Sequence, residues 1–177
     1  MPPASQPAMD LEEIFRDHHA MVFRAAYRIT GNAGDAEDAM QTVFLRMLKR
    51  DAAAEPVTNM ASFLRRAAIN AALDLVRARQ NIRGVPLEDL EPVLADAPHR
   101  QPDQARKEGE VREWLRGALA RLNPRSAAMF ALRFFEDKEN PEIARLLDTT
   151  PGTVAVTLSR TRDWLEKEYR VYVGGVA

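Results

Sequence analysis

The sequence predicts an all-α fold of two small helical domains. Three observations carry that prediction. The 177 residues include only 8 glycines and are rich in Ala, Leu, Arg and Glu, a composition that favours helix over sheet. Apolar residues recur at three- and four-residue steps over most of the chain. One stretch, from Gly84 to about Gln104, breaks the pattern with Pro86, Pro92, Pro98 and Pro102 set among acids. Proline lacks the amide donor and pushes its predecessor out of helix, so this stretch reads as a semi-extended linker. The expected boundaries are 10–83, a linker at 84–104, and 105–172.

The first helix is expected from Asp10 to Thr30, where Leu11, Ile14, Phe15, His18, Val22, Phe23, Ala26 and Tyr27 keep helical spacing and Gly31-Asn32 ends it. A second starts near Asp35, read as its N-cap, with Glu37 and Asp38 in the first turn where the helix dipole favours negative charge. Its apolar stripe is Ala39, Met40, Val43, Phe44, Met47 and Leu48. A third runs from about Asn59 to Gln80, facing inward with Phe63, Leu64, Ala67, Ala68, Ala71, Leu75 and Val76. These make a three- to four-helix bundle. Beyond the linker, Val111, Trp114, Leu115, Ala118, Leu119 and Leu122 mark one helix. Asn123-Pro124, Asn140-Pro141 and Thr150-Pro151 then read as three successive cap-plus-proline starts.

Composition excludes several function classes. There is no cysteine, hence no disulfide, thiolate metal site or thiol nucleophile. No apolar run approaches the roughly 18 residues of a membrane span. Met1–Met9 has no basic or apolar leader pattern and reads as a Pro/Ala/Ser tail. A cytoplasmic protein without membrane insertion and without a cofactor is expected, monomeric when free of partners. His18 and His19 adjoin and His99 falls in the linker. No Ser/His/Asp order, carboxylate pair, glycine-rich phosphate loop or metal spacing accompanies them, so an enzyme is not expected. The net charge of −1 does not announce a nucleic-acid binder, but its distribution is uneven. Ser62–Arg83 carries Arg65, Arg66, Arg77, Arg79 and Arg83 against Asp74 alone. The following acidic segment cancels this in the total while leaving a local basic face.

The last two helices are separated by only about three residues, Asp148–Thr150, which is helix-turn-helix spacing. A steep crossing needs a small residue, and Ala144 is placed for it. The turn needs a residue that tolerates positive φ, and Asp148 is acceptable there. Val154, Leu158 and Leu165 can anchor the second helix. Thr149, Thr150, Gly152, Thr153, Ala155, Val156, Ser159 and Arg160 are left to face outward. Short side chains let such a helix approach base edges in the major groove. Hydroxyls can bond bases or phosphates, apolar groups can touch a thymine methyl, and Arg160 and Arg162 can reach phosphates. A plain helical hairpin within a bundle satisfies the same spacing.

Several short motifs narrow the choice. Asp35-Ala36-Glu37-Asp38 with Gln41 and Phe44-Leu45-Arg46 resembles the region-two signature of the extracytoplasmic-function (ECF) sigma factors. Arg66–Asp74 with Arg77 resembles the promoter-melting helix of that family. Ala120–Arg125 with Leu132–Glu136, and Glu142-Ile143-Ala144 with Gly152-Thr153-Val154, resemble its region four. The resemblance spans about Leu11 to Tyr169. It departs from the usual pattern at Arg65, Ile69, Pro141, Asp148, Ala155 and Thr157.

The resemblance implies a transcription initiation factor. Its partners would be core RNA polymerase, promoter DNA and an anti-sigma factor. Asp35, Glu37, Asp38, Gln41, Phe44 and Arg46 would face the polymerase clamp. Arg65, Arg66, Asn70, Arg77 and Arg79 would serve the −10 element, with the loop from about Asp51 to Met60 as the rim of a base pocket. The exposed residues from Thr149 to Arg160 would read the −35 element. The two domains would pack together when silent and separate on the polymerase. Two other readings fit the same residues. A stand-alone helix-turn-helix regulator would need a dimerisation surface but not the Asp35–Arg46 signature. A sigma-like interaction module would keep the helices and lack promoter binding.

Overall fold

A computed structural model of the chain describes residues 11–50, 54–82 and 102–175. The tail before Leu11, Arg83 and most of the expected linker lie outside the described residues. Seven helices run in order among the described residues: α1 Leu11–Thr30, α2 Ala33–Leu48, α3 Met60–Ile82, α4 Pro102–Arg121, α5 Pro124–Phe134, α6 Asn140–Leu146 and α7 Pro151–Gly174. The helical fold class and the order of elements follow the sequence reading.

The helix ends show why each element starts and stops. Gly31 takes φ +74°, and its amide donates to the Tyr27 carbonyl at 2.8 Å, closing α1. Asn32, not Asp35, caps α2, because its side chain accepts from the Asp35 amide at 2.8 Å. Asp35 is therefore a first-turn residue. Asn123 and Thr150 cap α5 and α7 as expected, each with a proline in the first turn. At α6 the cap shifts by one residue to Glu139, which exchanges bonds with Glu142 in a capping box. The Glu139 amide donates to Glu142 and lowers that carboxyl's pKa below the usual value, with nearby Lys138 acting in the same direction. The capping box is thus intact at neutral pH and weakens as pH falls through the lowered value. Pro102–Gln104, assigned to the linker, instead form the first residues of α4, where proline's missing amide costs nothing.

Helix α3 is the centre of the molecule. It packs against α1 and α2 on one side and against α4, α5 and α6 on the other. Leu64, Ala68, Ile69, Ala72 and Leu73 are all essentially inaccessible. At Gly117 of α4 the Gln80 side-chain amide of α3 lies over the backbone, its nitrogen 2.6 Å from where a Cβ would stand. Gly31 is needed for its positive φ; the Arg116 guanidinium of α4 that lies over it is the free end of a long side chain and can move aside. Within the second half, Trp114 of α4 meets Tyr169 of α7 edge-on at 5.0 Å, and Arg121 pairs with Glu168 at 2.8 Å.

The α6–α7 junction is a helix-turn-helix. Ala144 is buried at the crossing, and Val154, Leu158 and Leu165 anchor α7. Asp148 takes φ +50°, the left-handed turn position expected of it. The Thr149 amide closes the turn on the Ala144 carbonyl at 2.9 Å, and Arg125 donates to the Leu147 and Asp148 carbonyls. Asp148→Val should therefore lower stability by about 1–2 kcal/mol, since a β-branched residue is strained in that region. Urea denaturation read by circular dichroism measures it.

Candidate polymerase and promoter surfaces

On α2 the structure divides the residues expected to meet the polymerase. Glu37, Asp38, Gln41 and Arg46 are exposed. Asp35 and Phe44 are not. Asp35 is buried and held by Asn32 Nδ2 at 2.9 Å and Arg79 Nη2 at 2.5 Å. Phe44 is buried against Phe15, edge to face at 4.9 Å. Both sit where the helix turns inward, so they position the exposed face instead of belonging to it. The sequence reading also missed two residues that do belong. By spacing Leu48 falls in the apolar stripe, and Leu45 stands within the Phe44-Leu45-Arg46 motif. They are 63% and 53% exposed. Glu37, Gln41, Leu45 and Leu48 recur at four, four and three residues and share one face. Helical phase groups Leu45 with Glu37 and Gln41, but Leu48 also keeps the spacing of the buried stripe.

The arginines of α3 are engaged with the second half of the chain. Arg65 Nε donates to Glu136 at 3.1 Å, and Arg66 Nη1 to the Leu146 carbonyl at 3.4 Å. Arg77 reaches the Ala120 and Leu122 carbonyls at 3.2 and 3.5 Å, and it pairs with Asp74 at 3.3 Å, the i, i+3 contact its spacing allows. Asn70 is half-buried on the same helix. Arg79 differs from the others: it turns back to Asp35 and joins α3 to the start of α2. Arg79→Ala should cost about 1–2 kcal/mol, because it leaves a buried carboxylate with one fewer donor while half of the arginine is already in water. Thermal unfolding at neutral pH reads the loss.

The expected pocket rim is only partly described, since Asp51–Ala53 lie outside the described residues. Glu55–Asn59 line a cleft of about 640 Å³ with Phe63, Arg65 and Arg66, closed on its far side by Lys138, Glu142, Arg145 and Leu146. The Arg50 guanidinium stacks over Phe63 at 5.2 Å and donates to the Glu55 carbonyl. Cations therefore outnumber acids around an aromatic ring, which suits a polyanion with unstacked bases.

On α7, Thr150, Gly152, Thr153, Ala155, Val156, Ser159 and Arg160 are exposed, and Thr149 is half-buried. The Thr150 and Thr153 hydroxyls bond each other at 2.9 Å, and the Thr153 amide donates to Thr150 Oγ1 at 3.1 Å. A Cβ at Gly152 would meet nothing closer than 3.9 Å within the chain. The fold does not require that glycine, and the space beside it is open.

The comparisons with known proteins match both halves. The family model described as Sigma-70 region 2 matches residues 14–82, and that described as Sigma-70, region 4 matches residues 112–165. The chain is 35% identical over 163 residues to the ECF RNA polymerase sigma factor SigE of Mycolicibacterium smegmatis, with 92% of this chain and 62% of that protein covered. The RNA polymerase sigma-E factor of Streptomyces coelicolor is 30% identical, covering 90% of this chain and 86% of its own length. The ECF sigma factor SigW of Bacillus subtilis is 23% identical over 91% of this chain and 88% of its own. The two matched regions occur in the order the helices require, and the chain belongs to the ECF RNA polymerase sigma factors, subunits that direct the polymerase to promoters.

Proposed function

We propose a division of work along the chain in which residues 10–83 dock on core RNA polymerase and open the −10 element while residues 105–172 read the −35 element. The observation that carries this reading is the pairing of two different exposed surfaces. The α2 face mixes acids with two bare leucines, which suits a protein partner whose burial of apolar area supplies affinity and whose charges set register. The start of α7 bears only short side chains, which suits close approach to a DNA groove. Glu37, Asp38, Gln41 and Arg46, with Leu45 and Leu48, meet the polymerase. Arg65, Arg66, Asn70 and Arg77 engage the melted strand, and Arg79 supports them through Asp35. Gly152, Ala155 and Val156 face bases, while Ser159 and Arg160 face phosphates.

Control comes from an anti-sigma factor that covers the α2 face and the start of α7 together. The packed halves present both surfaces on one body.

Run-off transcription with purified core polymerase on a pool of promoter fragments tests the reading. Transcripts that depend on the protein and start at a shared sequence pattern support it. No transcript together with no binding to core polymerase rejects it in favour of a stand-alone regulator.

A further inference from the structure

Two arginines from different helices meet on one carboxylate. Arg28, in the last turn of α1, donates through Nη1 to Glu136 Oε1 at 2.9 Å and to the Phe135 carbonyl at 2.8 Å. Arg65 of α3 donates through Nε to the other oxygen, Glu136 Oε2, at 3.1 Å. The Glu136 side chain is 8% exposed, whereas Arg28 keeps 48% of its side chain in solvent. Glu136 is presented by the α5–α6 turn, which its own backbone pins. The Glu136 amide donates to the Ala131 carbonyl at 3.2 Å, the Lys138 amide to the Leu132 carbonyl at 2.9 Å, and Asp137 between them takes φ +50°.

The rest of the α3 face follows the same pattern. Arg66 and Arg77 end on backbone carbonyls of the second half, and Ile69 and Leu73, which share that face by spacing, are buried to 1%. The partners these cations have from the second half are all oxygens, one carboxylate and several backbone carbonyls. Two guanidinium groups converging on the two oxygens of one anion form a geometry that accepts phosphate as well as carboxylate.

We propose that Arg28 and Arg65 form a binding site for a backbone phosphate of the unpaired promoter strand, and that Glu136 occupies this site in the closed chain as its internal stand-in. The proposal rests on the reading of α3 as the melting helix and adds Arg28, a residue of α1, to that surface. Glu136 must leave before a phosphate enters. Separation of the halves therefore releases Arg28, Arg65, Arg66 and Arg77 together, and the closed chain binds the strand weakly in proportion to its open fraction.

The test uses the full chain and a single-stranded oligonucleotide carrying the −10 element of a run-off template, with affinity followed against salt by fluorescence anisotropy. Glu136→Gln should tighten binding by about tenfold, as removal of a self-competitor raises the competent fraction. Arg28→Ala should weaken binding and reduce the slope of log affinity on log salt by about 0.7, the signature of one lost phosphate contact on a single strand. Arg28→Lys keeps the charge and should keep the slope. Combining Glu136→Gln with Arg28→Ala should keep the opening and lose one contact, so its salt slope should lie about 0.7 below that of Glu136→Gln alone. An unchanged affinity for Glu136→Gln, or an unchanged slope for Arg28→Ala, overturns the site, as does a strand that none of the variants binds.

A second readout needs no nucleic acid. The chain has no native cysteine, so Asp17→Cys on α1 and Lys167→Cys on α7, both exposed, take a donor–acceptor dye pair. Glu136→Gln should move the pair apart, and an unchanged distance overturns the stand-in role. A shift in distance without any run-off transcript would instead refute the promoter reading while leaving the ion-pair closure standing.

Discussion

Leu64→Ala is expected to remove about 2–5 kcal/mol of stability, the cost of deleting three buried carbons and leaving a cavity. Leu64 is wholly inaccessible and sits in α3, the helix on which both halves pack. The surrounding side chains are close-packed and relax only partly into the space. For a chain of this size, total stability is about 5–15 kcal/mol, so one substitution would remove a large share of it. In urea the midpoint should fall while the slope stays that of wild type. A loss below about 1 kcal/mol would show that α3 is not the packing centre.

The paired substitution Leu45→Ala, Leu48→Ala makes the same chemical change twice and should behave in the opposite way. Both leucines stand more than half exposed, so unfolding should shift by no more than about 0.5 kcal/mol for each. Binding to core polymerase should instead weaken by about tenfold, the effect of losing roughly 1.4 kcal/mol between the two apolar contacts. Competition for core polymerase against a labelled wild-type chain measures it. Full retention of affinity would remove the α2 face from the docking surface. Wild-type affinity with lost stability would return these leucines to the core.

Much of this protein was legible in the sequence because its elements are punctuated locally. Gly31, Asn123-Pro124, Thr150-Pro151 and Asp148 act through their own backbone preferences, and each does in the structure what its residue type allows. The anchors Val154, Leu158 and Leu165 are buried as their spacing requires. The errors lie where two good candidates compete within a few residues. Asn32 and Asp35 can both cap α2, and the choice depends on which backbone turns first. Asn140 yields to Glu139 because Glu142 completes the box one residue earlier. Helical phase pointed inward for Leu48, but only the packed bundle shows that α2 ends with that leucine turned outward.

The helical class, the order of the elements, the helix-turn-helix and the concentration of arginine on α3 are all encoded locally. Each of these depends on neighbours a few residues apart. What those arginines touch depends on contacts between distant parts of the chain. Arg79 and Asp35 are 44 positions apart, Arg65 and Glu136 are 71, and Arg28 and Glu136 are 108. A cation's charge is set by its side chain, but its partner is set by how helices from distant parts of the chain cross. Local spacing therefore identified the charges, and the packing of the two halves around α3 determined which anion each one holds.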